Sequence, residues 1–262
     1  MFKFYMKAER PLILVTNDDG IHAGGLGALI EIAAEIGDVV VVAPEESQSG
    51  MSHAITTKQP IRINRKKEQN GLKIYSCSGT PVDCVKLALN QLLDRKPDVL
   101  LSGINHGSNA SISVIYSGTM AAAIEGSVNG IQSVGFSLLD YSPDADFRHA
   151  KHYVRRILQD VLKNGMPAEI CLNVNIPVLS TEKIKGIKVC RQTRGFWQEE
   201  FDKRTDPFKR DYFWLTGYFN NFEPDARDTD EWALKNGYVS VVPIRVDFTC
   251  FDYLPELKKR KF

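Results

Sequence analysis

Two adjacent carboxylates, Asp18 and Asp19, follow the apolar run Leu12-Ile13-Leu14-Val15 and are closed by Gly20. Like charges side by side repel, and a hard divalent cation bound between them would remove that repulsion. Taken alone, Asp19-Gly20 is equally an ordinary solvated turn dipeptide. Three later polar segments change the balance: Ser47 and Ser49 after a second apolar run, Asn105 and Asn109 after a third, and Ser117-Gly118-Thr119 at the start of a small-residue helix. Every candidate ligand is an oxygen, some anionic and some neutral, a set suited to Mg²⁺ or Mn²⁺ and poorly suited to structural zinc. The glycine at the helix start lets backbone N–H groups approach an anion, and the helix dipole favours one there. A cation beside an anion cradle points to phosphoryl chemistry, with Asp18 or Asp19 as the base that takes a proton from water. His53 and His106 fall in two of these loops and are candidate acids, with plain surface imidazoles as the other reading.

Elements that could bring these loops together follow from the apolar periodicity. Leu12–Val15, Val39–Ala43 and Val99–Leu101 read as strands buried on both faces, because they lack polar alternation. Leu26, Leu29, Ile30, Ala33 and Ile36 lie at helical spacing between the first two, which makes a βαβ unit with a parallel pair. Ile55–Ile63 has strand character with a proline at 60, so it is expected as an edge strand or a hairpin arm, and Arg65–Gly71 is expected as a charged, solvated turn. Thr80, Pro81 and Asp83 have the types and spacing of a capping box, which accounts for them without catalysis. Helices over 120–128 and 149–162 and strands over 133–138 and 170–177 continue the alternation. The expected class is α/β, a doubly wound and mostly parallel sheet, with ligands at the carboxyl ends of its strands. Beyond Pro177 the composition turns aromatic and charged (Phe196, Trp197, Phe201, Phe208, Phe213, Trp214 and others), in a pattern suited to a long hairpin. The expected division is a core over 1–177 and an extension over 178–262, whose hairpin is a candidate oligomerisation arm.

A net charge of +1 over 262 residues leaves no global field to recruit nucleic acid or an anionic membrane. The five cysteines are odd in number, widely spaced and without a Cys-x-x-Cys, which argues for a reducing compartment rather than a disulfide or thiolate-zinc framework. The basic stretch Met1–Arg10 has no apolar core of signal-peptide length, and no apolar run reaches the roughly 20 residues of a membrane span, so a cytoplasmic location is expected.

Several of these segments also match a known family. Val15-Thr16-Asn17-Asp18-Asp19-Gly20-Ile21, Val41-Val42-Ala43-Pro44, Ser47-Gln48-Ser49-Gly50, Gly79-Thr80-Pro81-Val82-Asp83-Cys84-Val85, Ser102-Gly103-Ile104-Asn105, Tyr116-Ser117-Gly118-Thr119, Asn173-Val174-Asn175-Ile176-Pro177 and Gly237-Tyr238-Val239-Ser240 resemble the SurE family, in family order over nearly the whole chain. The resemblance implies a metal-dependent phosphatase acting on nucleoside 5′-monophosphates and often 3′-nucleotides, sometimes also on polyphosphate. It implies a Rossmann-like core, one divalent cation per subunit, and a C-terminal segment exchanged within a homodimer or homotetramer. Carried over by position, the metal ligands fall on Asp18, Asp19, Ser49 and Asn105, and the phosphate side on Asn109, Ser117, Gly118 and Thr119. Many members have a glycine and an aspartate where this chain has Ser111 and Ser113, so the substrate-facing loop differs in shape.

Other classes compete on the residues alone. A receiver-like regulatory module also places an acidic pair after its first strand, but it needs an aspartate and a lysine at later strand ends that this chain does not supply cleanly. A dinucleotide binder could use Gly25-x-Gly27 with Glu45 or Glu46 on a ribose, yet the glycine spacing is incomplete and Asp18 and Asp19 would face a pyrophosphate. A non-catalytic metal- and nucleotide-binding module is the remaining alternative.

Overall fold

Leu12–Thr16 (β1), the strand that leads into the acid pair, is the fourth strand of a nine-stranded sheet in the computed structural model, which describes residues 10–261. The N-terminal residues 1–9 of the basic stretch, and Phe262 at the end of the basic tail, lie outside the described residues. In chain order the elements after β1 are α1 (Gly24–Ile36), β2 (Asp38–Pro44), β3 (Ile63–Gln69), β4 (Leu72–Cys77), α2 (Pro81–Leu87), β5 (Val99–His106) and α3 (Gly118–Val128). They continue as β6 (Gln132–Leu138), α4 (Arg148–Asn164), β7 (Ile170–Ile176), β8 (Ile187–Val189), β9 (Gly195–Thr205), β10 (Asp211–Asn221), α5 (Asp230–Lys235), β11 (Val239–Arg245) and α6 (Leu254–Leu257).

The spatial order is β3-β4-β2-β1-β5-β6-β7-β11-β8. Strand β1 pairs in parallel with β2 on one side and β5 on the other, so the winding reverses between β1 and β5. That reversal opens a crevice at the carboxyl ends of these two strands, where an open α/β sheet takes its ligands. Both sheet faces are covered, as the uninterrupted apolar runs require. Ile13 and Val15 point toward α1 and α4 and pack with Leu26, Leu29, Ile32 and Leu158. Leu14 points to the other face, with Cys84 and Val85 of α2 and Ala122 of α3.

Edge strand β3 corrects the expectation for residues 55–71. Residues 55–62 form no strand, and the charged segment expected as a turn is itself the strand, pairing antiparallel with β4 through Asn70-Gly71. Pro60 has no N–H to give a ladder, whereas an outermost strand tolerates charged side chains because water reaches both its faces. Asn70 and Gly71 both take positive φ (50° and 78°), the conformation of a two-residue hairpin turn. The capping box forms as expected: Thr80 accepts from Asp83 N at 3.2 Å, and Asp83 accepts from Thr80 N at 2.9 Å.

Residues beyond Pro177 divide two ways. Strand β11 pairs antiparallel with β7, and β8 pairs with β11, so both belong to the main sheet. Strands β9 and β10 leave it as a separate two-stranded hairpin, paired from Gly195↔Asn221 to Thr205↔Asp211. All five cysteines are free, and no helix among the described residues is long and apolar enough to cross a membrane.

Candidate active site

Asp18 reaches the crevice because β1 ends at Thr16 and the chain turns through Asn17 to Gly20, with Asn17 Nδ2 donating to Gly20 O at 2.9 Å. Its side chain is 3% exposed, and burial, reinforced by the neighbouring charge of Asp19, pushes its carboxyl up to about 6. The Thr119 hydroxyl donates to Asp18 Oδ1 and opposes that rise without cancelling it. Asp19 is less buried, and burial raises it too. Its carboxylate accepts from His106 N at 3.2 Å and is hydrogen-bonded by Ser49. Holding two carboxylates side by side, one of them buried, is a costly arrangement that a bound cation would relieve.

The loop after β2 arrives from the other side. Gln48 N donates to Asp18 O at 2.7 Å, and Ser47 Oγ and Ser49 Oγ lie 3.0 Å apart. Asn105 sits near the end of β5, beyond a shift in the β5–β6 pairing between Ser102 and Asn105. Its Nδ2 donates to Gly107 O (2.9 Å) and His106 O (3.2 Å), which leaves Oδ1 as the free end of the amide. So Asp18, Asp19 and Ser49 are tied to one another through backbone and side-chain bonds, and His106 N joins Asp19 to the end of β5.

Helix α3 starts against Asp18. Ser117 caps it, accepting from Met120 N at 3.0 Å, and a Cβ added at Gly118 would lie 2.7 Å from Asp18 Cβ. Only a glycine lets the first turn of α3, with its unpaired N–H groups, approach the carboxylate this closely. Gly118→Ala is therefore expected to lower turnover at least about tenfold by displacing Asp18, even though alanine is favoured over glycine by about 1 kcal/mol inside a helix. Steady-state kinetics alongside a melting curve would check this, and unchanged turnover would remove the close approach from the account.

Other expected residues are engaged differently. Neither histidine ring hydrogen-bonds the acid pair, although the His106 charge acts on Asp19: His106 Nδ1 meets Ser142 O at 3.0 Å and its ring packs edge-on against Phe147, while His53 Nε2 meets Glu125 Oε2 at 3.1 Å. Thr119, expected on the phosphate side, spends its hydroxyl on Asp18. Asn109 is buried against β6 and β7.

Two buried carboxylates were missed from the sequence. Glu125, on α3, accepts from His53 and Lys86 (2.7 Å), which hold it down to about 2 and tie the Ser49 loop to the helices beneath it. Asp230, at the start of α5, accepts from Ser111 N (2.8 Å) and from Thr193 N (2.9 Å) and Oγ1 (2.6 Å), anchoring the 111–115 turn to the C-terminal extension. Glu125 had a visible signal, as the only acidic residue in a helix of small side chains. Asp230 looked like any first-turn acid. A cavity of about 980 Å³ runs from Ser117 and His53 along α3 to Val242, Ile244 and Phe248, and it does not include the acid pair.

The described residues contain no group of three or more His, Cys, Asp or Glu able to hold a metal. The two carboxylates, with the neutral oxygen of Ser49 beside Asp19 and that of Asn105 at the end of β5, have the oxygen chemistry that suits a hard cation. Asn17 Oδ1, next to Asp18 in the chain, is buried without a hydrogen-bond partner among the described residues. An unmet polar atom beside a crowded acid pair fits a site built to receive something.

Comparison with known proteins points one way. The family Survival protein SurE matches residues 13–199. The chain is 56% identical over 257 residues to the 5′-nucleotidase SurE of Flavobacterium johnsoniae, covering 98% of this chain and 99% of that one. It is also 56% identical over 254 residues to the 5′-nucleotidase SurE of Christiangramia forsetii, covering 96% and 97%. The crystal structure of the SurE protein from Aquifex aeolicus superposes with a TM-score of 0.82 at 38% identity, covering 95% of this chain and 98% of that one.

Proposed function

The chain belongs to the SurE family, and from that premise we propose that it is a metal-dependent 5′-nucleotidase, a phosphatase of nucleoside monophosphates. The observation that carries this reading is the acid pair at the reversal of the sheet, Asp18 buried and Asp19 half-buried, with the start of α3 against Asp18. Asp18, Asp19, Ser49 and Asn105 would hold one divalent cation, Mg²⁺ or Mn²⁺. When bound, such a cation supplies Lewis acidity, drawing charge from the phosphoryl group and making water a better nucleophile near neutral pH.

The chain's own residues do the rest. The Gly118 N–H at the start of α3, with the Ser117 hydroxyl and the Asn109 amide, would bind the phosphoryl oxygens and hold the group in line for attack. Asp18 is the member of the pair set against the start of α3, where it would take a proton from the attacking water. Thr119 orients it, and His106 N with Ser49 keeps Asp19 in place. Attack would form the new P–O bond as the ester P–O bond to the nucleoside breaks, the leaving oxygen taking a proton from solvent water while Asp18 releases to solvent the one it took.

Nucleoside 3′-monophosphates and polyphosphate are proposed as further substrates, and a homodimer or homotetramer as the working form. Within the proposed 178–262 extension, the hairpin β9–β10 would make the contact between subunits. A panel of 5′- and 3′-nucleoside monophosphates assayed with Mn²⁺ tests the assignment. Excess EDTA is expected to reduce turnover to background, with Mn²⁺ or Mg²⁺ restoring it. An EDTA-indifferent activity would take the cation out of the mechanism, and nucleotide binding without phosphate release would leave a non-catalytic module.

A further inference from the structure

Asn109 is held at three points by two strands that carry none of the residues assigned to the reaction. Its backbone N–H donates to Asn175 Oδ1 at 2.8 Å, its carbonyl accepts from Asn173 Nδ2 at 2.8 Å, and its own Nδ2 donates to Ser137 Oγ at 2.9 Å. Asn175 Nδ2 closes the set by donating to Asn173 Oδ1 at 2.9 Å. All four residues are buried. Asn173 and Asn175 stand two apart on β7, so they share one face of the sheet, while Val174 and Ile176 go to the apolar core. Ser137, on β6, is the register partner of both Asn105 and Asn175.

A sheet interior gains nothing in packing from three polar side chains where Val or Leu would serve. A connected polar network there instead imposes one geometry on whatever it holds. Here that is a single loop residue, whose peptide cannot rotate because both its N–H and C=O are engaged. Its amide keeps one N–H and Oδ1 uncommitted. A donor fixed before substrate arrives binds an oxyanion without the reorganisation a mobile loop amide would need.

We propose that Ser137, Asn173 and Asn175 are positioning residues that hold the Asn109 amide as a preset donor to the phosphoryl oxygens. This rests on the phosphatase reading above and deepens it. Ser137 is the most informative of the three, because its removal leaves both backbone bonds to Asn109 intact and frees only the amide.

Inorganic phosphate binding to the Mn²⁺-loaded protein, followed by calorimetry, tests this beside a direct Mn²⁺ titration. Ser137→Ala is expected to weaken phosphate binding about tenfold (about 1.4 kcal/mol) with Mn²⁺ affinity unchanged. Asn109→Ala should show the same loss, and the double variant no further loss, since the two substitutions remove one interaction. Ser137→Cys, nearly the same size but a poor acceptor, should behave like Ser137→Ala and guards against a packing defect in the smaller variant. Wild-type phosphate affinity in both Ser137 variants would overturn the positioning role, as would a parallel loss of Mn²⁺ binding. If Asn109→Ala alone bound phosphate normally, Asn109 would leave the phosphate side. If the Mn²⁺-loaded wild type bound no phosphate, the phosphatase reading itself would fall, and the proposal with it.

Discussion

Asp18→Asn is expected to abolish turnover, by on the order of 10³-fold, while making the metal-free protein more stable at pH 7. The two effects share a cause. Burial raises the Asp18 carboxyl from 3.8 to about 6, so the metal-free fold binds a proton more tightly than the unfolded chain does. Stability from this group is therefore full below about pH 4 and is lost as pH rises through 6. At neutral pH the ionised side chain works against folding by roughly 3 kcal/mol, at 1.36 kcal/mol per pKa unit. Asparagine keeps the shape and can still accept from Thr119, but it carries no charge. For a chain of this length each kcal/mol moves the melting temperature by about 2–4 °C.

Melting curves of the EDTA-treated proteins at pH 5 and pH 7 would read this out. Wild type should gain stability on acidification across that range, and the variant should show less of this gain. Mn²⁺ reverses the order, because a ligand at 100 times its dissociation constant adds about 2.7 kcal/mol to a fold that binds it and adds little to one lacking the carboxylate. A metal-free Asp18→Asn protein that melts below wild type at pH 7 would make Asp18 an ordinary turn residue and take the carrying observation away.

The second large effect concerns the hairpin. Two 11-residue strands project from the sheet with Phe201, Phe213, Trp214 and Leu215 exposed and Phe208 78% exposed at the tip. An isolated hairpin is marginal in water, and a monomer seldom leaves so much contiguous apolar surface uncovered. Replacing residues 199–217 by a short turn is expected to convert the protein to a single-chain species in sedimentation while its far-ultraviolet circular dichroism remains that of a folded α/β sheet. A shortened protein that sediments as the full-length one does would refute the arm. The excision has to be confined to the hairpin. A cut after Pro177 also strips β11 from β7, where Val241 pairs with Val174, and would test the sheet rather than the arm.

Much of this architecture was legible because it depends on neighbours along the chain. An apolar run without alternation must be covered on both faces, so β1, β2 and β5 could be read as interior strands. The Thr80–Asp83 box is closed within one helical turn, so spacing alone specifies it. The acid pair was conspicuous for a reason equally local, two like charges with no intervening residue.

Most of what escaped the sequence depended on distant partners; β3 is the exception, a local hairpin with β4 that its charged composition hid. Residues 63–69 look like a solvated turn until β4 offers them an edge to pair with. Thr119 reads as a phosphate ligand until the sheet order places its hydroxyl on Asp18, 101 residues away. His53 and His106 had suitable chemistry for an acid, yet Glu125 and the Ser142 carbonyl claim their rings. Asn173 and Asn175 belong to a segment that carries the resemblance, but nothing in it says what they hold until the loop bearing Asn109 is laid across the strand. Periodicity and capping specify which face a residue presents over three or four positions. Which group waits on the other side is settled only when strands 60 to 100 residues apart are brought to hydrogen-bonding distance.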